Sequence, residues 1–363
     1  MAFAAIPLFD GDMFDSAHRL AGSAEARREP GLGHARAGER WQQMLALGWQ
    51  GVLVPEDLGG VGAGLAELAA IVDGVARHGL AVPLIERCAV APVVLTEAAR
   101  LGVPLADLLS DLSLGEASVA PVLGQPGPAL GADGILHGQL SGVDLSEPAS
   151  HLLFLARQVQ DDQPCWVLLP WSEALSAQHH VGVDAAQCSD LRLDGVQVSA
   201  GARLLHGPAA AKAALLGEQA GRLMASVVAV GAAASMIEQT IDYLNTRQQF
   251  GVALSTFQAL RHRLVEMYVA YENLHGLVRR QVLHAQDQGL HSAERETVVI
   301  RRYAAQVSRQ VAESAIQLHG GMGMSWEMPV ARLAMHAMAV GLQYGHPAQT
   351  LDWLSARSLA DVA

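Results

Sequence analysis

From about residue 209 onward, apolar residues recur at helical spacing in unusually long segments. These cover 209–246, 255–288, 293–319 and 329–341, with a last one near 348–360. Gly251, Gly289 and the Gly320-Gly321 pair punctuate them where a helix would stop. An amphipathic helix must bury its apolar stripe against a neighbour. Four long ones with short connections imply an antiparallel bundle for this part of the chain.

Two other regions precede it. Residues 14–110 read as helices, with apolar spacing in Trp41, Met44, Leu45 and Leu47 and again in Leu65, Leu68, Ile71, Val72 and Val75. The glycine-rich run Gly48–Gly62 between them lacks a strand-turn-helix frame, so it reads as a turn rather than a phosphate cradle. From 111 to 206 Gly and Pro become frequent and short apolar runs appear, at 135–138, 152–156, 166–169, 191–193 and 196–198. These read as strands. The expected fold class is therefore α+β, with an N-terminal helical domain over 1–112, a small β-barrel-like domain over 113–207 and the bundle over 208–363.

Composition narrows the function classes. Hydrophobic residues make up 51% and aromatics 5%, a bias toward Ala, Leu and Val that suits packed helices. The net charge of −12 repels nucleic acid and anionic membrane surfaces, so neither is expected as a partner. No uninterrupted apolar run reaches the roughly 18 residues of a membrane span, and no basic segment leads an apolar one at the N-terminus. Cys88, Cys165 and Cys188 are odd in number and form no CxxC pair. They fit a reducing cytoplasm and hold no metal or disulfide. Arg279-Arg280 and Arg301-Arg302 sit within helical patterns and read as solvated faces or subunit salt bridges.

Two segments carry chemistry. Arg247 lies where a long helix ends, just before Phe250-Gly251. A guanidinium is permanently charged and grips phosphate through two parallel hydrogen bonds. Farther on, Gln317 ends a helix and Gly320-Gly321 turn the chain, where the lack of side chains lets backbone N–H groups approach a phosphate.

Taken together, Arg247-Gln248-Gln249-Phe250-Gly251 with Leu254 and Phe257-Gln258, then Gln317-Leu318-His319-Gly320-Gly321-Met322-Gly323, resemble the acyl-CoA dehydrogenase flavoprotein family. The Gly48–Gly62 run resembles that family's link between two N-terminal helices. The resemblance implies that Arg247, Phe250 and Gln258 reach across a subunit interface to the pyrophosphate end of FAD. It implies that Gln317, Leu318, His319, Gly320 and Gly321 serve the ADP half of the same FAD.

The family's reaction removes an α-proton from an acyl thioester while hydride leaves the β-carbon for the flavin. A carboxylate must face the α-carbon. Of the two positions where the family places its Glu, one is Tyr344 here, before Gly345, and the other is Gly221, before Arg222. Tyr, with an ordinary pKa near 10, is a poor base, and Gly is none. Glu218 lies one helical turn before Gly221 and is the alternative base. The family's flavin-ring platform, a Trp and a Thr, aligns with Gly142 and Asp144. A carboxylate at that point would oppose the charge that builds on reduced flavin. The second flavin loop has no counterpart in Ala120–Pro126.

No catalytic residue is therefore assigned. The resemblance implies the base-lacking subunit of a bacterial α2β2 acyl-CoA dehydrogenase in fatty acid or steroid degradation. The catalytic partner would be a homologous subunit, the substrate an acyl-CoA, and an electron-transfer partner is possible. The alternatives are a self-sufficient homo-oligomer using Glu218 and a flavin-free structural protein of the same fold.

Overall fold

The computed structural model describes residues 5–25, 41–123, 127–172, 175–345 and 347–360. The helical reading of 26–40 and the loop reading of 124–126 lie outside these residues. The N-terminal helices are α1 (Asp12–Glu25), α2 (Leu65–Ala76), α3 (Ala91–Arg100) and α4 (Ala106–Leu114). Ten strands follow, β1 (Val119–Val122), β2 (Ala129–Leu130), β3 (Ile135–His137), β4 (Gln139–Asp144), β5 (His151–Gln158), β6 (Pro164–Pro170), β7 (Ser176–Val181), β8 (Gln187–Arg192), β9 (Val196–Gln197) and β10 (Arg203–His206). Then come α5 (Gly207–Thr246), a hairpin of β11 (Gln248–Gln249) and β12 (Val252–Ala253), α6 (Gln258–Gln288), α7 (Glu294–His319), α8 (Pro329–Leu342) and α9 (Pro347–Ala360). This is the expected order of helices, β region and helices. The chain groups into two compact units, one of residues 34–64 and 82–221, the other of residues 1–33, 65–81 and 222–363.

In the first unit, strands β10-β6-β5-β2-β3-β9 run in that order, with β1 added in parallel to β5. A second sheet has the order β4-β8-β7. Alternation along β5 explains the layering. Leu152, Phe154 and Ala156 join Leu140, Val143 and Leu191 of the smaller sheet in one core. Leu153, pointing the other way, joins Val94, Leu95, Leu109 and Leu112 of α3 and α4. Trp166 on β6 is buried with these helices, and its indole donates to the Ala210 carbonyl at 3.0 Å. Where Arg87 leaves a single π turn (Glu86–Val90), it is buried and donates to the carbonyls of Glu147 (2.5 Å) and Pro148 (2.6 Å).

The second unit is the bundle. Helix α1 packs on α2, α2 on α6, α6 on α7, and α7 on α8 and α9. Asp73 of α2 is fully buried, pairs with Arg77 at 3.1 Å and accepts from the Leu8 N–H at 2.8 Å. Arg77 also donates to the carbonyls of Ala5 and Ile6 at 3.1 Å each, so residues 5–8 are strapped to α2. Helix α5 passes so close that a Cβ on Gly231 would lie 2.8 Å from the Asp73 carboxylate, which only glycine avoids.

Three readings change. Leu47 is 51% exposed, because the helical stretch 41–46 ends before it and Leu47 opens the turn that follows. Helix α5 is long and apolar enough to cross a membrane. Its most apolar stretch is 89% buried within the protein, as in the core helix of a bundle. Finally, Arg301 is 1% exposed and does not belong to a solvated face.

Candidate functional site

The ends of α5 and α7 meet. Tyr243, one turn before the end of α5, stacks on His319 at the end of α7 with ring centroids 4.4 Å apart. The His319 ring nitrogen Nδ1 lies 2.9 Å from the Ala315 carbonyl, which fixes it as donor, and burial holds its pKa below the ordinary value. The stack brings Arg247 and the Gln317–Gly321 segment to one end of the bundle. Tyr243 carries no motif and was missed in the sequence. Its only signal is its place four residues before Arg247.

Past Arg247 the chain turns in a two-residue hairpin, Gln248–Gln249 against Val252–Ala253. Phe250 and Gly251 form the turn with φ of 56° and 81°. Positive φ at both positions defines the tight turn that suits strand twist and ordinarily takes Asn-Gly. Phe250 adopts it while 92% exposed, with its ring edge-on to Phe257 at 6.2 Å. A bulky side chain in this conformation is strained, and such strain clusters at ligand clamps. Arg247 is exposed, and its guanidinium meets no carboxylate among the described residues.

Gln258 opens α6 and is exposed, as is Gln317. A Cβ on Gly320 or Gly321 would meet nothing within 4 Å. The two glycines therefore leave an open backbone surface, with φ of 61° at Gly320. Leu318 and His319 turn their side chains into the bundle, at 6% and 3% exposure. Any ligand contact there runs through backbone atoms. One cation, an exposed aromatic ring, two amides and a bare backbone turn fit the phosphate and adenine half of a dinucleotide.

The ring half of a flavin finds no such fit. Gly142 sits in a register break of β4 at φ 66°, its N–H given to Asp190 Oδ1 at 2.9 Å. Asp144 does not face outward as a free carboxylate. It accepts from the Ser146 N–H at 2.9 Å and hydroxyl at 2.5 Å, and burial raises its pKa above the ordinary range. The charge expected to oppose reduced flavin is thus tied into a local turn.

Both base positions are accounted for. Gly221 is buried in α5, and Glu218 is half-buried on the same helix. Arg222, which follows Gly221, donates its Nε to the Tyr344 carbonyl at 3.1 Å. Tyr344 has φ 54°, and the preceding Gln343 carbonyl accepts from Arg301 Nη2 at 3.0 Å. No carboxylate occupies either slot.

Comparison with known proteins identifies the family. The C-terminal domain of acyl-CoA dehydrogenases matches residues 207–351, and the N-terminal domain of the same enzymes matches residues 17–99. Acyl-CoA dehydrogenase FadE28 of Mycobacterium tuberculosis is 28% identical over 324 residues, which cover 87% of this chain and 91% of that protein. The ChsE4-ChsE5 complex from Mycobacterium tuberculosis shares the fold with a TM-score of 0.78 at 19% identity, over 98% of this chain and 99% of that one. A variant of the Tcur3481-Tcur3483 steroid ACAD does so with a TM-score of 0.83 at 24% identity, over 97% and 98%. Matched in both terminal domains and alike in fold over nearly its whole length, the chain belongs to the acyl-CoA dehydrogenase family, FAD oxidoreductases acting on CH–CH bonds.

Proposed function

We propose that this chain is the base-lacking subunit of a heteromeric acyl-CoA dehydrogenase. It lends one wall of an FAD site to a homologous partner, and that partner carries the catalytic Glu and the ring platform. Bound FAD supplies the acceptor for hydride from the β-carbon of the acyl-CoA. The contribution of this chain is positional. Arg247 grips the pyrophosphate, Phe250 covers the nucleotide, and Gln258, Gln317 and the Gly320-Gly321 backbone bind the ADP half. The single observation that carries this reading is Phe250, held exposed in a strained turn beside Arg247, in a chain whose two base slots hold Gly221 and Tyr344. Such a wall has a purpose only when another chain closes it.

The names of similar proteins support the partner and the substrate class. One is a complex of two chains and another a steroid ACAD, so a bulky acyl-CoA thioester in fatty acid or steroid degradation is the substrate we assign. The test is flavin content. Purified alone, the chain should be colourless, and co-purified with its partner it should hold one FAD per heterodimer. A yellow chain that oxidises acyl-CoA by itself would overturn the proposal in favour of a homo-oligomer using Glu218. Full FAD occupancy of the complex after Arg247→Ala, at sub-saturating FAD, would remove this chain from the site.

A further inference from the structure

Helix α6 is apolar on two opposite faces. Leu264, Met267, Tyr271, Leu274, Val278 and Val282 are buried where the helix packs on α2 and α7. On the other side, Val265 (50% exposed), Val269 (52%) and Leu283 (37%) share one stripe with Glu272, Gly276 and Arg280, which are exposed as well. Steps of three and four residues keep these positions on a single face. Gly276 stands mid-helix in this stripe. Glycine there is destabilising relative to alanine. Nothing among the described residues requires it, because a Cβ on Gly276 would meet no atom within 4 Å. What a bare position on an outward face does allow is close approach by a second backbone. The charges on either side of it are opposite. Glu272 and Arg280 lie eight residues apart, about 12 Å along the axis, too far to pair with each other. Neither has an opposite charge three or four residues away, where helix neighbours meet. The Glu272 carboxylate accepts from the Tyr268 hydroxyl, which raises the pKa of that phenol. Arg279 is used within the chain, its guanidinium 5.0 Å from the centre of the Phe9 ring. Arg280 instead lines a groove of about 560 Å³ between α6 and α7, beside Leu277, Val299 and Tyr303. Arg280 and Arg295 against Glu296 leave that groove with one positive charge in excess.

We propose that α6 is a homotypic docking face, on which two copies of this chain pack their α6 helices antiparallel about a twofold axis at Gly276. In such a contact residue i meets j and j meets i. A twofold at Gly276 pairs positions equally far from it on either side. It sets Gly276 on Gly276, Glu272 of each protomer against Arg280 of the other, and Val269 against Leu283. Val265 and Asp287 come last, at the rim. The stripe between them is about 33 Å long. Sliding one helix by a turn would set Val269 against Asp287 and take Glu272 away from Arg280, so the register is specified. The acid and the base of each ion pair stand on the same helix. The face is therefore complementary to itself, and its occupant is a second copy of this chain. The contact joins like chains and does not depend on the FAD reading.

The experiment is sedimentation velocity of the full chain at micromolar concentration. Two chains per particle are expected. Gly276→Leu should give single chains that melt no lower than wild type, since the position is exposed and unobstructed within the chain. Glu272→Arg and Arg280→Glu should each raise the dimer dissociation constant on the order of a hundredfold, because both ion pairs become repulsions. Mixed in equal amounts, these two variants should recover the two-chain particle, since each carries the charge that the other lacks. A merely structural role for either residue gives no such recovery. A wild-type chain that sediments singly, a dimer indifferent to Gly276→Leu, or a mixture that stays as single chains would each overturn the proposal. So would a photoreactive side chain at position 276 that, in the complex, cross-links to a different chain instead of a second copy of this one.

Discussion

Tyr243 and His319 stack at 4.4 Å with their rings 26° apart. This contact is what makes two distant sequence signatures into one surface. Aromatic pairs of this kind contribute about 0.5–1.5 kcal/mol beyond the area they bury. Tyr243→Ala should therefore lower stability by roughly 1–2 kcal/mol and loosen the relation of Arg247 to Gly320. In the complex, FAD occupancy at sub-saturating FAD should fall with it, while Tyr243→Phe should preserve both. If Tyr243→Ala leaves flavin binding unchanged, the stack is structural only.

The turn at Phe250 makes an opposite pair of predictions. Asn is favoured at the first position of such a turn, and Phe is strained there by about 1–3 kcal/mol. Since Phe250 is 92% exposed, Phe250→Asn removes strain and loses little packing. The isolated chain should melt higher, and the complex should hold FAD less tightly. A variant that is both less stable and equal in flavin affinity would show that the ring has a packing role instead.

Much of this was legible in the sequence. Helix α5 runs Gly207–Thr246 against an expected 209–246, because its apolar positions are uninterrupted. The β11–β12 hairpin was not legible, since Gln248-Gln249 shows no alternation and Phe-Gly is not the usual turn pair. Strand β7, with His179 and His180, likewise lacks the apolar run that marked β5 and β6. At the site, the exposed Arg247, Gln258 and Gln317 were named from their motifs. Arg301 was misread because a basic doublet on a helix resembles a solvated face. Its burial is set by carbonyls at the end of α8, some forty residues away, which no local pattern reports.

The strap of residues 5–8 can be tested at Asp73. It is fully buried, bonded to Arg77 and to the Leu8 N–H. Removing one partner of a buried pair leaves the other uncompensated, at a cost of about 3–5 kcal/mol. Asp73→Ala should lower stability by that order and expose the N-terminal segment to limited proteolysis. A loss below about 1 kcal/mol would mean that the strap is fastened by Glu238 and Tyr271 instead, which bond Ala5 and Ile6.

Acid should weaken the fold through its histidines. His18, His151 and His319 are each held below their ordinary value of 6.5, burial being the first cause in all three. Below that value the unfolded chain takes up protons that the folded chain refuses. Stability from these groups is thus complete above pH 6.5 and declines as pH falls toward their folded values. Asp144 acts the other way, because burial raises its carboxyl and its contribution is lost as pH rises. The urea midpoint should fall between pH 7 and pH 5, and less steeply in His151→Asn. A midpoint that rises over this range would contradict the assignment.

The last prediction concerns the base. Glu218 is half-buried on α5, one turn before Gly221, and it is the carboxylate best placed on the helix to substitute for a missing one. If the partner supplies the base, Glu218→Gln should leave acyl-CoA oxidation by the complex within about threefold of wild type, because no proton transfer runs through it. If Glu218 is a relocated base, the same change removes general-base catalysis, an effect on the order of 100- to 10,000-fold. Gln keeps the side-chain shape, so a collapse in rate cannot be blamed on packing. The measurement is reduction of an artificial electron acceptor with straight-chain and polycyclic acyl-CoA esters, with the flavin spectrum recorded in parallel. We expect the small effect, since Arg222 on the same helix is turned to the Tyr344 carbonyl and the ring platform is replaced by Gly142 and a self-bonded Asp144. A collapse in rate with flavin still bound would make this chain catalytic in its own right.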